Sequence, residues 1–412
     1  MKASQHHNFL LSNQVDKKTF VKSILSENAP ASLSFLNNLK GVLFSDLAIH
    51  DFIQKEYKYD IVEDKLNSER MLNTFSSGEQ KKVFLKYCLQ QNADYIVFDN
   101  PLDHLDQHSR LSFLAELKKL ATSIIIIHIV NRVNDLLPFI QNSKQVDPNS
   151  LELHPILIET SDNEAILKNR IPPSLENTSY TDPVLIEMKK VSVSYHDRKI
   201  VTDIDWIIKK GEFWQLIGPN GSGKSTLLSL LTGENAKGYG QDLYLFGRKK
   251  GSGESIWDIK KHIGYFSNTM TSDYQGSQTL EQMILSGFFD SVGLYTQPTL
   301  EQKKIVKQWM DLVSLNLQKD YPFKQLPLGQ QRLALIVRAI LKHPLLLILD
   351  EPLEGLDDEN ARLITRLVNI LTVETSIAII YVSHRIETSL NPQAIFELLP
   401  SQEGSRGTIK LS

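Results

Sequence analysis

Two stretches of this chain, 251 residues apart, are versions of one another. Phe75–Asp106 reads FSSGEQKKVFLKYCLQQNADYIVFDNPLDHLD, and Leu326–Asp357 reads LPLGQQRLALIVRAILKHPLLLILDEPLEGLD; both are 32 residues long and align without a gap. Matched positions include Gly78 with Gly329, Gln80 with Gln331, Asp99 with Asp350, Pro101 with Pro352 and Asp106 with Asp357. Each stretch predicts a loop, a helix with apolar spacing, a buried strand and a turn closed by aspartate. One shared glycine would mean nothing, but a whole supersecondary unit in register points to a duplicated α/β element. A chain of 412 residues has room for both copies.

The copies are unequal in what surrounds them. Residues 1–142 hold the first, and residues 184–412 hold the second with an additional run of alternating strands, VLIEMKKVSVSY and IVTDIDWIIKKGEFWQLIG. Between them, residues 143–183 carry Pro148, Pro155, Pro172, Pro173 and Pro183 among Asn, Ser and Thr, with an acidic excess, which is linker composition.

The second half carries a phosphate site. Strand Phe213–Ile217 runs into GPNGSGKST, comprising Gly218, Pro219, Asn220, Gly221, Ser222, Gly223, Lys224, Ser225 and Thr226, and then into the apolar helix LLSLLTG. Glycines let successive backbone N–H groups curl round phosphate oxygens, and the helix start adds a favourable field. Lys224 is placed to reach the β- and γ-phosphates, and the Ser225 hydroxyl to hold Mg²⁺. The apolar run Leu345–Leu349 ends in Asp350 and Glu351. Asp350 suits positioning of Mg²⁺ and its water, while Glu351 can accept a proton from an attacking water. His384 follows a third apolar strand, Ile377–Val382, and is placed to sense the γ-phosphate.

The order of Tyr195, GPNGSGKST, LPLGQ, LLLILDEP, GLD and His384 resembles the ATP-binding-cassette ATPases across the whole C-terminal half. QDLYLFGRKKGSGESIWDIKKHIGYFS (Gln241–Ser267), ILSGFFDSVGLY (Ile284–Tyr295) and Gly329–Asp357 are similar to the tandem cassettes of the ModF type. That group carries the labels molybdate transport and photorepair (PhrA). The resemblance implies an α/β fold of two P-loop NTPase cassettes in tandem, paired head to tail, the N-terminal one truncated and degenerate. It implies an Mg-dependent ATPase with ATP and Mg as cofactors. By position it places Tyr195 against adenine, Asn268 where the family has a glutamine near Mg²⁺ or water, and Asp357 at the loop after the catalytic carboxylate. Residues 270–325 become the helical subdomain that docks a membrane permease.

Cassettes of this family join one domain's phosphate loop to the other's signature loop, so two composite sites are expected, and they are unequal. The first combines Gly218–Thr226, Asp350, Glu351 and His384 with FSSGE, where Ser76, Ser77 and Gly78 offer hydroxyls and backbone N–H groups to the γ-phosphate. The second needs a phosphate loop at LSNQVDKKT, Leu11–Thr19, which keeps Asn13, Lys17 and Thr19 but has no glycine. Gln14, Val15 and Asp16 are expected to block close backbone approach there. With so few residues before it, no adenine-stacking aromatic is expected to precede that loop. Asn100 replaces the catalytic glutamate, Asn131 the histidine, and Pro327 the signature serine. Every loss falls on one site.

Composition excludes some roles. The net charge of −3 argues against a dominant nucleic-acid surface. Arg248–Lys250 with Lys260 and Lys261 reads as a solvated charged face, and His6 and His7 as a frayed polar end. A single cysteine, Cys88, excludes an internal disulfide and suits a reducing compartment. No apolar run is long enough to span a bilayer, so a soluble cytoplasmic protein is expected, reaching the inner face of a membrane only through a permease. A transport ATPase and a soluble ATPase of nucleic-acid repair or the ribosome are the two functions to separate.

Overall fold

The computed structural model describes residues 5–26, 29–59, 71–75, 77–156, 171–175, 180–196, 198–291, 293–384, 387 and 389–411. Chain contacts divide it into two compact units, Met1–Thr160 with Glu354–Glu359, and Ser161–Leu353 with Asn360–Ser412.

The first unit contains β1 (His7–Leu11), α1 (Lys17–Leu25), β2 (Gly41–Phe44), α2 (Asp46–Tyr59), α3 (Ser77–Gln90), β3 (Tyr95–Asp99), α4 (Gln107–Leu120), β4 (Ile125–Val130), β5 (Asn142–Val146) and β6 (Leu153–Pro155). Its sheet has the order β2-β3-β4-β1-β5-β6, parallel except for the β5–β6 pair. Apolar runs such as YIVFD and IIIHIV supply strands that must be covered on both faces. Side chains alternate accordingly: Tyr95 and Val97 join one buried cluster with Phe9 and Phe20, while Ile96 and Phe98 join another with Phe44 and Phe84.

The second unit contains β7 (Val184–Tyr195), β8 (Arg198–Lys209), β9 (Phe213–Ile217), α5 (Lys224–Leu231), β10 (Asp242–Leu245), β11 (Arg248–Lys249), α6 (Ile256–Lys260), β12 (Ile263–Ser267), α7 (Met270–Asp273), α8 (Leu280–Leu285), α9 (Leu300–Leu312), α10 (Leu328–Ile340), β13 (Leu346–Asp350), α11 (Asp358–Glu374), β14 (Ala378–Ser383), β15 (Ala394–Leu399) and β16 (Arg406–Leu411). Its main sheet runs β12-β13-β14-β9-β15-β16, again parallel until an antiparallel last pair. Strand for strand, this is the order of the first unit. The repeat seen over 32 residues of sequence therefore extends over an entire sheet. A four-stranded antiparallel sheet, β11-β10-β7-β8, has no counterpart in the first unit among the described residues.

Two sequence expectations are corrected. The linker was placed from residue 143, but β5 and β6 belong to the first sheet, so that unit runs at least to Pro155. The short polar strands at this end of the sheet, NSKQV and LHP, carry too little apolar pattern to stand out from loop composition. His6 and His7 are not a frayed end. Both are buried; His6 Nδ1 accepts the Ile126 N–H at 3.0 Å, and His7 stacks on Phe9 and Phe35. Burial, helped by Lys144, lowers the His7 pKa to about 4. Cys88 is wholly buried on α3, and burial pushes its thiol up to about 12.

Candidate nucleotide site

In a parallel sheet, ligands bind outside the carboxyl ends of the strands, where the strand order reverses. In the second unit that point is β9, which has β14 on one side and β15 on the other. The expected phosphate loop leaves β9 there. Gly221 and Gly223 take φ of 74° and 96°, the left-handed region open to glycine. A Cβ on Gly223 would also lie 2.7 Å from Val201 Cγ1, so that position excludes side chains twice over. Such turns aim consecutive N–H groups inward as an anion cradle, and α5 starts at once with Lys224. Ser222 is buried beneath the loop, whereas the Ser225 side chain is exposed at the helix start.

Three predicted residues from three elements meet. Lys224 Nζ donates to Gly218 O at 2.7 Å and to Pro219 O at 3.2 Å, and lies 3.3 Å from His384 Nδ1. His384 Nε2 lies 2.5 Å from Glu351 Oε1. A continuous polar chain thus runs from the loop lysine through the histidine to the carboxylate. Glu351 holds φ at 52°, a conformation costly for glutamate, with its N–H donating to Val382 O at 3.1 Å. Asp350 ends β13 in register with Val382 of β14. A residue not singled out from sequence, Gln215, anchors the end of β14: within the buried strand FWQLI its Nε2 donates to Ser383 Oγ at 2.9 Å, next in sequence to His384. A lone amide in an apolar strand was the available signal.

The remaining predicted residues fall elsewhere. Tyr195 ends β7 with its ring 42% exposed, its hydroxyl accepting from Asn235 Nδ2 at 3.0 Å. Asn268 follows β12, and its side-chain oxygen accepts from Arg332. Asp357 lies in the segment Glu354–Glu359 that groups with the first unit; within that unit it exchanges hydrogen bonds with Asn13, at 2.7 Å and 2.8 Å. Ser76 lies outside the described residues. Ser77 and Gly78 open α3, and the Ser77 hydroxyl donates to His104 O at 3.3 Å. Gln80 and Gln331 each return a side-chain donor to the first residue of their own signature segment, Phe75 O at 3.0 Å and Leu326 O at 2.7 Å.

The matching place in the first unit has the same wiring with different chemistry. Lys17 Nζ donates to Asn131 Oδ1 at 3.1 Å, and Asn100 Nδ2 donates to that same oxygen at 2.7 Å. Lys17, Asn131 and Asn100 therefore repeat Lys224, His384 and Glu351. Lys17 also pairs with Asp99 Oδ1 at 2.9 Å. None of residues 12–17 has positive φ, so the loop forms no cradle. Instead Asp16 caps α1, accepting from the Thr19 N–H at 3.1 Å and the Thr19 hydroxyl at 2.7 Å, bonds that hold its carboxyl below the ordinary value. An internal carboxylate stands where an anion would sit at the helix start.

A family profile described as ABC transporter matches residues 201–354. The chain is 41% identical over 334 residues to the ABC transporter ATP-binding protein ModF of Escherichia coli (strain K12), covering 77% of this chain and 68% of ModF. It is 28% identical over 326 residues to an uncharacterized ABC transporter ATP-binding protein of Schizosaccharomyces pombe, covering 76% of this chain and 65% of that protein. The chain thus spans about two thirds of the length of these relatives. Among solved structures, the model of ribosome-bound archaeal Pelota and ABCE1 matches with a TM-score of 0.66 over 99% of this chain and 75% of that one, at 17% identity, which speaks to fold alone. A glycine cradle at a strand switch point, a lysine, a carboxylate and a histidine wired together, and 41% identity to ModF converge: the chain belongs to the ATP-binding-cassette family, as an ATPase of the ModF type.

Proposed function

We propose that this chain is the ATP-hydrolysing component of a transport system, firing at one nucleotide site held by the second unit and completed by Ser76 and Gly78 of the first. The observation that carries the single-site reading is the chain Lys224–His384–Glu351, against its amide replacement Lys17–Asn131–Asn100. ATP phosphates enter the cradle of Gly218–Gly223, and Lys224 exchanges its carbonyl partners for phosphate oxygens. Glu351 takes a proton from the attacking water as the water oxygen bonds to the γ-phosphorus and the bond to the ADP oxygen breaks. His384, in contact with Glu351, fixes that carboxylate and faces the γ-phosphate. The exposed Ser225 hydroxyl and the Asp350 carboxylate at the strand end are hard oxygen donors that fit Mg²⁺, which supplies charge neutralisation of the β- and γ-phosphates.

The transport role is supported by the relationship to ModF, named an ABC transporter ATP-binding protein. Among the described residues no helix is long and apolar enough to cross a membrane; under this reading the membrane path belongs to a permease. An oxyanion cargo such as molybdate follows from the ModF-type resemblance, not from a side-chain pattern in this chain. A soluble ATPase acting on nucleic acid fits the charge distribution less well. The basic run is compensated locally: Lys249 pairs with Asp242 at 2.6 Å, Lys260 with Glu234 at 2.7 Å, and Lys261 with Asp258 at 3.6 Å. Ser76→Ala tests the shared site. Turnover should fall by about tenfold or more, as for loss of one donor to developing charge, while Pro327→Ala leaves it within about twofold. Unchanged turnover in Ser76→Ala would sink the pairing.

A further inference from the structure

We infer that Arg332 is a positioning residue for hydrolysis, held in place by the side chain of Asn268. This rests on the proposed assignment of hydrolysis to Glu351. Arg332 lies on α10 just after the signature segment and is 4% exposed. Its guanidinium donates to the side-chain oxygen of Asn268 and to Pro352 O at 3.4 Å. Pro352 is the residue after Glu351 and has no N–H of its own, so its carbonyl is a natural anchor for that turn. One buried cation thereby ties the segment leaving β12 toward the helical region to the turn that carries the base.

The first unit repeats the arrangement with a different pair of residues. Lys81, 251 positions before Arg332, is 2% exposed. Its Nζ donates to Pro101 O at 3.3 Å and to Asp103 O at 2.7 Å, and sits 3.0 Å from Asp46 Oδ1. Asp46 matches Asn268 by register: Phe44 of β2 pairs with Phe98 as Phe266 of β12 pairs with Leu349, and the partner residue follows two positions on. Cation and acceptor therefore differ together, arginine with amide in one unit and lysine with carboxylate in the other. Burying a cation is costly unless it is held, so its presence at this place in both units marks a built tie.

A misplacement of the base by an ångström costs on the order of 10²-fold in rate. Arg332→Gln should therefore lower kcat for ATP by about 10- to 100-fold, with KM within about threefold, because the phosphate cradle is untouched. Transplanting the first unit's pair, Asn268→Asp with Arg332→Lys, should return kcat to within about threefold of wild type, whereas Arg332→Lys alone stays roughly tenfold down. Wild-type kcat in Arg332→Gln, or a double variant no faster than Arg332→Lys alone, overturns the inference. Should Arg332→Gln fail to fold, Asn268→Ala, at a half-buried position, decides: an unchanged kcat there overturns the inference equally. Lys224→Ala is assayed alongside. Absence of Lys224-dependent hydrolysis in the wild-type chain would count against the site assignment itself, while Lys224-dependent hydrolysis indifferent to Arg332 and Asn268 counts against this inference alone.

Discussion

The two sheets of this protein share one strand order and, at the same place on each, one three-residue polar chain. In the second unit the chain is Lys224–His384–Glu351; in the first it is Lys17–Asn131–Asn100. The geometry survived and the chemistry did not. An imidazole and a carboxylate can exchange protons, whereas two amides at the same distances can only hydrogen-bond. The lysines differ in the same sense: Lys224 rests on the backbone carbonyls of its own loop, while Lys17 reaches the Asp99 carboxylate.

Backbone conformation shows how the divergence was tolerated. Glu351 and Asn100 both hold left-handed φ, 52° and 45°. Asparagine accepts that region more readily than glutamate, so the first unit relieves strain that the second retains at Glu351. The phosphate loop diverges the other way. Gly223 at φ 96° makes the cradle, and Asp16 at φ −69° turns the corresponding residue into a helix cap. A cap carboxylate at a helix start stabilises by about 1 kcal/mol and occupies the ground that phosphate needs.

Three predictions test this contrast, the largest effect first. Glu351→Gln removes the general base and should cut turnover by about 10²- to 10⁴-fold. In the first unit, Asn100→Ala should change turnover less than about twofold, and Asn100→Glu should add no second activity, because no cradle stands beside it. A steady-state phosphate-release assay on the three variants reads this directly. Next, acid stability should expose the buried histidines of the first unit. His7 and His128 have pKa values lowered to about 4 and about 3, mainly by burial. The unfolded chain then binds more protons below about pH 6.5, so stability falls as pH drops from there toward 4. His7→Phe, which keeps the stack on Phe9 and Phe35, should remove roughly 2 kcal/mol of that loss, seen as a flatter midpoint-against-pH curve in urea unfolding. Smallest, Lys17→Met should cost on the order of 1 kcal/mol through its half-exposed pair with Asp99, shifting the melting temperature and leaving turnover alone.

The second unit's loop and strand ends were legible in sequence because they are local. The loop Gly218–Thr226 is contiguous, and Asp350 and Glu351 sit at the end of an unbroken apolar strand, so spacing alone places them. Interactions between distant segments were not legible. Arg332 and Lys81 look like ordinary helix residues until strand register brings Asn268 and Asp46 beside them. Strands β5 and β6 were lost to a polar composition, and His6 and His7 to their nearness to the terminus. Burial of a histidine is decided by what packs on it, here Phe9, Phe35 and the Ile126 N–H, none adjacent to both in sequence.

Nucleotide stoichiometry tests the unequal pair most directly. Equilibrium binding of labelled ATP with Mg²⁺ to the Glu351→Gln protein, which holds nucleotide without consuming it, should give one ATP per chain. Lys224→Ala in that background should abolish binding, and Lys17→Ala should leave it intact. Two ATP per chain, or binding that survives Lys224→Ala and disappears with Lys17→Ala, would contradict the assignment of the first unit as a closed relic.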